Sequence, residues 1–247
     1  MTSLKTGRYK PRLVYFLIFL NLVVFAAQIA LPLETVKQYA FSMENLLQNP
    51  VSVLSYGFMH AGPGHIAGNM VALFLQGRIL ERSTGKGKLA LTYAAGTIAG
   101  GLVWLPLNPE ASLVGASAAT SAILGANVLA SPDRSLLEEV PLLRRIPLPG
   151  IRNFFSVAVW AALMLIFNIQ ATVKGAGDVA TIAHLGGFAA GAMLIWTTGE
   201  TDSRKGAVLT PVFALLMAGI ALSAAGSTVY WALLLLFVVL ALSVRRL

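Results

Sequence analysis

Ser117 and His184 lie in apolar sequence, within Gly115-Ala116-Ser117-Ala118 and Ala183-His184-Leu185-Gly186-Gly187. A polar or ionisable side chain at membrane depth costs free energy, so each such residue is a functional candidate. A serine with a histidine pairs a nucleophile with its base. A third element is His60-Ala61-Gly62-Pro63-Gly64-His65-Ile66-Ala67-Gly68-Asn69. His65 and Asn69 are four apart and share a helical face. Imidazole and carboxamide can both donate hydrogen bonds to a developing oxyanion.

These residues need a frame, and composition supplies its class. The chain has 247 residues, 57% of them hydrophobic and 11% charged, with a mean hydropathy of +0.76. Soluble domains carry roughly 25% charged residues, so an integral membrane protein is expected. Cysteine is absent, which excludes disulfides and thiolate metal sites. The net charge of +8 does not point to nucleic acid. Its basic residues cluster between apolar runs, as membrane flanks do. The basic N-terminus followed by a long apolar run lacks a convincing small-residue cleavage site, so it reads as a retained first helix.

Apolar runs fall at about 13–31, 65–80, 88–106, 116–130, 153–170, 179–197, 207–224 and 227–244. A spanning helix takes about 20 residues, so the expected fold is an all-α bundle of eight transmembrane spans. Ala225-Gly226-Ser227 is the turn between the last two. Basic clusters at Lys5–Arg12, Arg78–Lys88, Arg134–Arg152, Arg204-Lys205 and Arg245-Arg246 alternate with loops holding only Lys37 and Lys174. The positive-inside rule then puts both termini in the cytoplasm. Residues 32–64 form a long extracytoplasmic segment of mixed character, suited to the membrane interface.

Depth links the serine to the histidine. From Ser117 to Ala130 the fourth run is about 21 Å long as a helix, against a hydrocarbon core of about 30 Å. Ser117 then lies roughly 9 Å below the outer edge. His184 is six residues beyond Asp178, a plausible N-cap, and so is also about 9 Å deep. Ser117, Ser121 and Gly125 repeat along one face of span four, and Gly187 and Gly191 make a small-residue step on span six. Such faces let helices approach closely.

With these residues in place, the chain resembles the rhomboid family of intramembrane serine proteases. The matching residues are Gly115-Ala116-Ser117, His184 with Gly187 and Gly191, His60 with His65 and Asn69, and Glu81-Arg82-Ser83-Thr84-Gly85. The resemblance covers about residues 12–198. It implies a six-helix catalytic core over 1–198, with residues 1–12 as a cytoplasmic tail. Two additional helices would follow in 199–247. It implies a Ser117–His184 dyad and an oxyanion site from the Ser117 N–H with His65 and Asn69, supported by Gly115 and Ala116. His60, Ser121, Gly125, Gly187 and Gly191 would pack near the site. The chain departs from common family patterns at Ala118, at Ser121 and at Pro50-Val51, none of them a reacting group.

The expected activity is hydrolysis of transmembrane-helix substrates near the extracytoplasmic side, in a multi-pass protein of the bacterial inner membrane. Ser117 attacks the carbonyl; neutral His184 takes the proton and returns it to the leaving amine. Asp178 is out of helical phase with His184, so a dyad is expected rather than a triad. The loop Lys174-Gly175-Ala176-Gly177 would act as a lid, and substrates would enter past Phe154, Phe155 and Trp160. No cofactor or metal is expected: a zinc site from the three histidines is disfavoured because His65 and His184 lack a nearby carboxylate or cysteine and no His-Glu-x-x-His occurs. An inactive rhomboid-like binder of membrane helices is the first alternative. A small transporter is the second, although no convincing internal repeat is visible.

Overall fold

A computed structural model describes residues 11–130 and 181–199. Spans five, seven and eight, the lid, Asp178, the cytoplasmic linker and the entry route past span five lie outside the described residues. What is described is helical. The sole pairing of extended backbone among the described residues is an isolated bridge between Phe41 and Leu113.

Five longer helices carry the architecture. They are α1 (Leu13–Ala30), α5 (Pro63–Thr84), α6 (Lys86–Trp104), α7 (Ser117–Ala130) and α8 (Thr181–Thr197). Between α1 and α5 the chain folds as three short helices, α2 (Leu33–Lys37), α3 (Met43–Gln48) and α4 (Ser52–Ser55), and a 3-10 turn at Tyr56–Phe58. Ser42 caps α3, its side chain accepting from the Asn45 N–H at 3.1 Å. This segment leaves Leu33, Leu47 and Val51 exposed, the amphipathic character expected of residues 32–64.

Among the described residues, two helices, Leu13–Ala30 and Lys86–Leu107 with its 3-10 extension, are long and apolar enough to cross a membrane by length and composition. The helices over Ser117–Ala130 and Ile182–Thr197 are apolar but shorter. The second expected span differs from its boundaries. The helix runs through Arg78 and Arg82 to Thr84, and Lys86 opens the next one. Arginine and lysine are good helix formers, so only Gly85, at φ +89°, breaks the chain. That conformation suits a glycine.

α7 packs between its neighbours. Ile66, Met70 and Leu73 of α5 meet Ala119, Ile123 and Ala126 of α7 in a core completed by Val14, Leu17, Tyr93 and Ile195. A second cluster lies under the loops, formed by Phe41, Tyr56, Trp104, Leu105, Leu113, Ala118 and Ala183.

Polar side chains tie α1 to this core. Both oxygens of the fully buried Glu81 accept from the Arg12, Leu13 and Val14 N–H groups at 2.9–3.0 Å. A carboxylate is favoured at a helix N-terminus, where free N–H groups and the dipole meet it. Asn21 donates to the Tyr93 hydroxyl at 3.1 Å, which donates to the Gly57 carbonyl at 2.8 Å. Asn127 of α7 reaches Gln76 of α5 through two bonds of 2.9 Å.

Candidate active site

Ser117 is the first residue of α7 and is half-buried. The strand-like approach to it is held by backbone. Leu113 exchanges two hydrogen bonds with Phe41, at 2.8 and 3.0 Å, and the Gly115 N–H donates to the Tyr56 carbonyl at 2.9 Å. The Ala116 carbonyl accepts from the Thr120 N–H at 2.9 Å and starts the helix. The segment between Phe41 and Tyr56 therefore clamps the backbone that delivers the serine. Nothing in the sequence marks this, because backbone groups form the clamp.

Gly115 is required by both conformation and space. Its φ is +133°, a region that residues with a Cβ rarely adopt. A Cβ there would lie 2.7 Å from His65 Cε1 and 2.9 Å from His65 Nε2, with Ser117 Oγ at 3.6 Å. The edge of the His65 ring thus occupies the space that glycine leaves open, on the same side as the serine hydroxyl.

α8 brings His184 to this end of α7. A Cβ on Gly187 would overlap the Ala118 carbonyl, and one on Gly191 would overlap the Ala122 carbonyl. Four residues on one helix match four on the other in the same direction, so α7 and α8 run parallel. One turn before Gly187, His184 is level with the turn that opens α7. Gly125 meets the Phe188 carbonyl in the same way. The α7 face in the seam is therefore Ala118, Ala122 and Gly125. The expected face of Ser117, Ser121 and Gly125 shares Gly125 with it, and Ser121 is fully buried. On the other side Gly100 of α6 packs on both helices: a Cβ would lie 2.6 Å from that of Ala118 and 2.7 Å from the Ala183 carbonyl oxygen.

Three details differ from the simplest sequence picture. His184 is buried, and neither ring nitrogen has a hydrogen-bond partner among the described residues, so the bond to Ser117 Oγ is not formed here. Catalytic hydrogen bonds often tighten only when substrate is bound. Asn69 is buried and turns its amide onto its own helix, donating to the His65 carbonyl at 2.9 Å. That bond takes up one of its two donors.

His60 lies in the loop before α5, not on it, and is buried against Phe25 and His65, with ring centroids 6.4 and 5.2 Å away. Burial, reinforced by the neighbouring His65, pushes its pKa down to about 4. Two further residues join the site unannounced. Gln28 of α1 holds the backbone of His60, and the Ala61 N–H donates to His65 Nδ1 at 3.2 Å. For Gln28 a signal existed. Asn21 and Gln28 are seven apart in an apolar run, and polar residues on one face of such a helix mark a protein-facing side. Among the described residues, no cluster of three or more His, Cys, Asp or Glu side chains is arranged to hold a metal ion.

A helix that begins at a serine, packed in parallel against a glycine-stepped helix carrying a histidine, places the protein among polytopic helical bundles. The family follows from comparison with known proteins. The Rhomboid domain model matches residues 48–201, and the chain belongs to the rhomboid family.

Curated relatives agree. It is 28% identical over 155 residues to Rhomboid-like protein 11, chloroplastic, of Arabidopsis thaliana, covering 60% of this chain and 52% of that protein. It is 26% identical over 206 residues to Rhomboid protein 1, mitochondrial, of Saccharomyces cerevisiae, covering 80% and 56%. It is 32% identical over 144 residues to human Rhomboid-related protein 3, covering 57% and 34%. The chain thus matches about half the length or less of these relatives. Rhomboids are membrane-embedded and act on transmembrane substrates, and the family holds both serine proteases and inactive members.

Proposed function

We propose that this chain is an intramembrane serine endopeptidase that cleaves transmembrane-helix substrates near the extracytoplasmic face. The observation that carries the reading is the register of the parallel α7–α8 pair. It sets His184 level with the Ser117 turn, with the His65 ring edge across Gly115. Ser117 Oγ adds to the scissile carbonyl while His184 takes its proton, and the tetrahedral oxyanion forms beside His65 and the Ser117 N–H. His184 then protonates the leaving amine. Water repeats the sequence on the acyl-enzyme and frees Ser117. Asn69 supports His65 through its carbonyl and has a second N–H to offer.

With the cytoplasmic edge of the bilayer set at Ala130, the stretch of α7 from Ser117 is about 21 Å long, shorter than the hydrocarbon core of about 30 Å. Ser117 would sit below one surface, with residues 107–115 dipping in where protein surrounds them. We place both termini in the cytoplasm, assign six spans to a core over 1–198, and assign two more to 199–247.

A second reading has one observation in its favour. Among the described residues His184 has no hydrogen-bonded partner, as an inactive rhomboid-like binder of membrane helices would tolerate. Labelling with a serine-directed fluorophosphonate separates the two. The protease labels at Ser117, cleaves a model single-span substrate, and loses at least about 10⁴-fold of its turnover in Ser117→Ala. Equal behaviour of Ser117→Ala and the native protein would sink the protease reading.

A further inference from the structure

Gln28 lies near the end of α1, on a helix with no catalytic residue. Its amide meets both backbone groups of one loop residue. The His60 N–H donates to Gln28 Oε1 at 2.9 Å, and Gln28 Nε2 donates to the His60 carbonyl at 3.3 Å. This two-point grip fixes the peptide plane on either side of His60. The next N–H along the chain, that of Ala61, points at His65 Nδ1 from 3.2 Å.

An amide N–H can only donate, so Nδ1 must accept. A neutral imidazole that accepts at one nitrogen carries its proton on the other. The His65 proton therefore resides on Nε2, and Nε2 is the nitrogen beside Gly115 and Ser117. The buried His60 ring packs edge-on against the His65 ring, with centroids 5.2 Å apart. The loop that Gln28 holds thus supplies both the bond that selects the tautomer and the ring that limits its tilt.

We propose that Gln28 is a positioning residue for the reaction, acting through the His60–Ala61 backbone to keep His65 as an Nε2–H donor aimed at the oxyanion. The assignment rests on the protease reading for its catalytic consequence, whereas the tautomer is a property of the resting protein. Such a donor matters only once charge develops on the substrate oxygen, so its misplacement lowers kcat and leaves KM in place.

The full chain contains three histidines, so ¹⁵N-histidine labelling in detergent gives three ring systems, assignable by single substitutions. Native His65 should show the Nε2–H pattern. In Gln28→Met, which removes both hydrogen bonds, His65 should shift toward a tautomer mixture, with kcat down about tenfold and KM kept, a fraction of the effect of deleting an oxyanion donor. Gln28→Glu keeps the acceptor for the His60 N–H and should show the same changes at smaller size. It carries the test should Gln28→Met not fold. A native His65 protonated on Nδ1, an unshifted tautomer in both variants, or a shifted tautomer with unchanged kcat overturns the assignment. A native protein that cleaves nothing removes the protease reading instead, and the ring spectra alone then decide whether Gln28 positions His65.

Discussion

The two sides of α7 are built by different physics. Toward α8 the contact is a seam of shape, with Gly187, Gly191 and Gly125 each seated against a backbone carbonyl and no room for a methyl group. Toward α5 the apolar packing of Ile66, Met70 and Leu73 on α7 is joined by polar ties, and polar ties also fasten α1 to the rest of the bundle. Glu81 takes the N-terminus of α1, Asn21 works through Tyr93 on Gly57, Gln28 grips His60, and Asn127 pairs with Gln76. In a bilayer the lipid is as apolar as leucine, so helices are held by close packing and interhelical hydrogen bonds rather than by hydrophobic burial. The seam sets the register of Ser117 and His184. The polar side sets the orientation of His65 and the loop above it. Register demands an all-or-none fit, whereas orientation is assembled from bonds worth about 1 kcal/mol each.

Breaking the seam should have the largest effect. Gly191→Leu drives a side chain into the Ala122 carbonyl, and thermal unfolding in detergent should show a loss of about 3 kcal/mol or more. Fluorophosphonate labelling should disappear with it. Native-like stability in this variant would mean that the helices can separate at little cost.

Gly115→Ala acts where the two sides meet. The backbone strain at φ +133° should cost roughly 2 kcal/mol. The new methyl group would also displace the His65 ring, and turnover of a single-span substrate should fall roughly 100-fold, as for a misplacement of about 1 Å. A variant that keeps full turnover would separate His65 from the chemistry.

The smallest effect belongs to the loop. His60 is held near 4 when folded, from an ordinary imidazole value of 6.5. The unfolded chain therefore binds more protons than the folded one between these values, and stability falls as pH drops from about 6.5 toward 4. Unfolding midpoints at pH 7.5 and 4.5 should differ less in His60→Leu than in the native protein. An equal difference would assign the acid sensitivity elsewhere.

Much of the architecture was legible in linear order. Five of the apolar runs coincide with described helices. α7 begins at Ser117 itself, which sets the depth from which the serine is presented. The Gly187–Gly191 step was readable because small residues at helical spacing have one common use in membranes. The helix outlasts the apolar run that ends at Leu80, because arginine continues a helix and only Gly85 supplies a stop. In the α7 seam Gly125 was legible, whereas Ala118 and Ala122 were not, because alanine carries no signal that sets it apart from other small residues.

Sequence by itself determined the class of protein, the candidates Ser117, His184, His65 and Asn69, and the faces able to approach closely. Those follow from residue type and helical period, which are local properties. Tertiary structure decided that α7 and α8 lie parallel in a fixed register. It decided that Phe41 and Tyr56 clamp the approach to Ser117, that Asn69 turns back onto its own helix, and that Gln28 reaches His60 across 32 residues of chain. Each depends on backbone groups or on partners distant in sequence. Any residue can offer its N–H or carbonyl, so no residue type announces such a contact, and only the fold selects it.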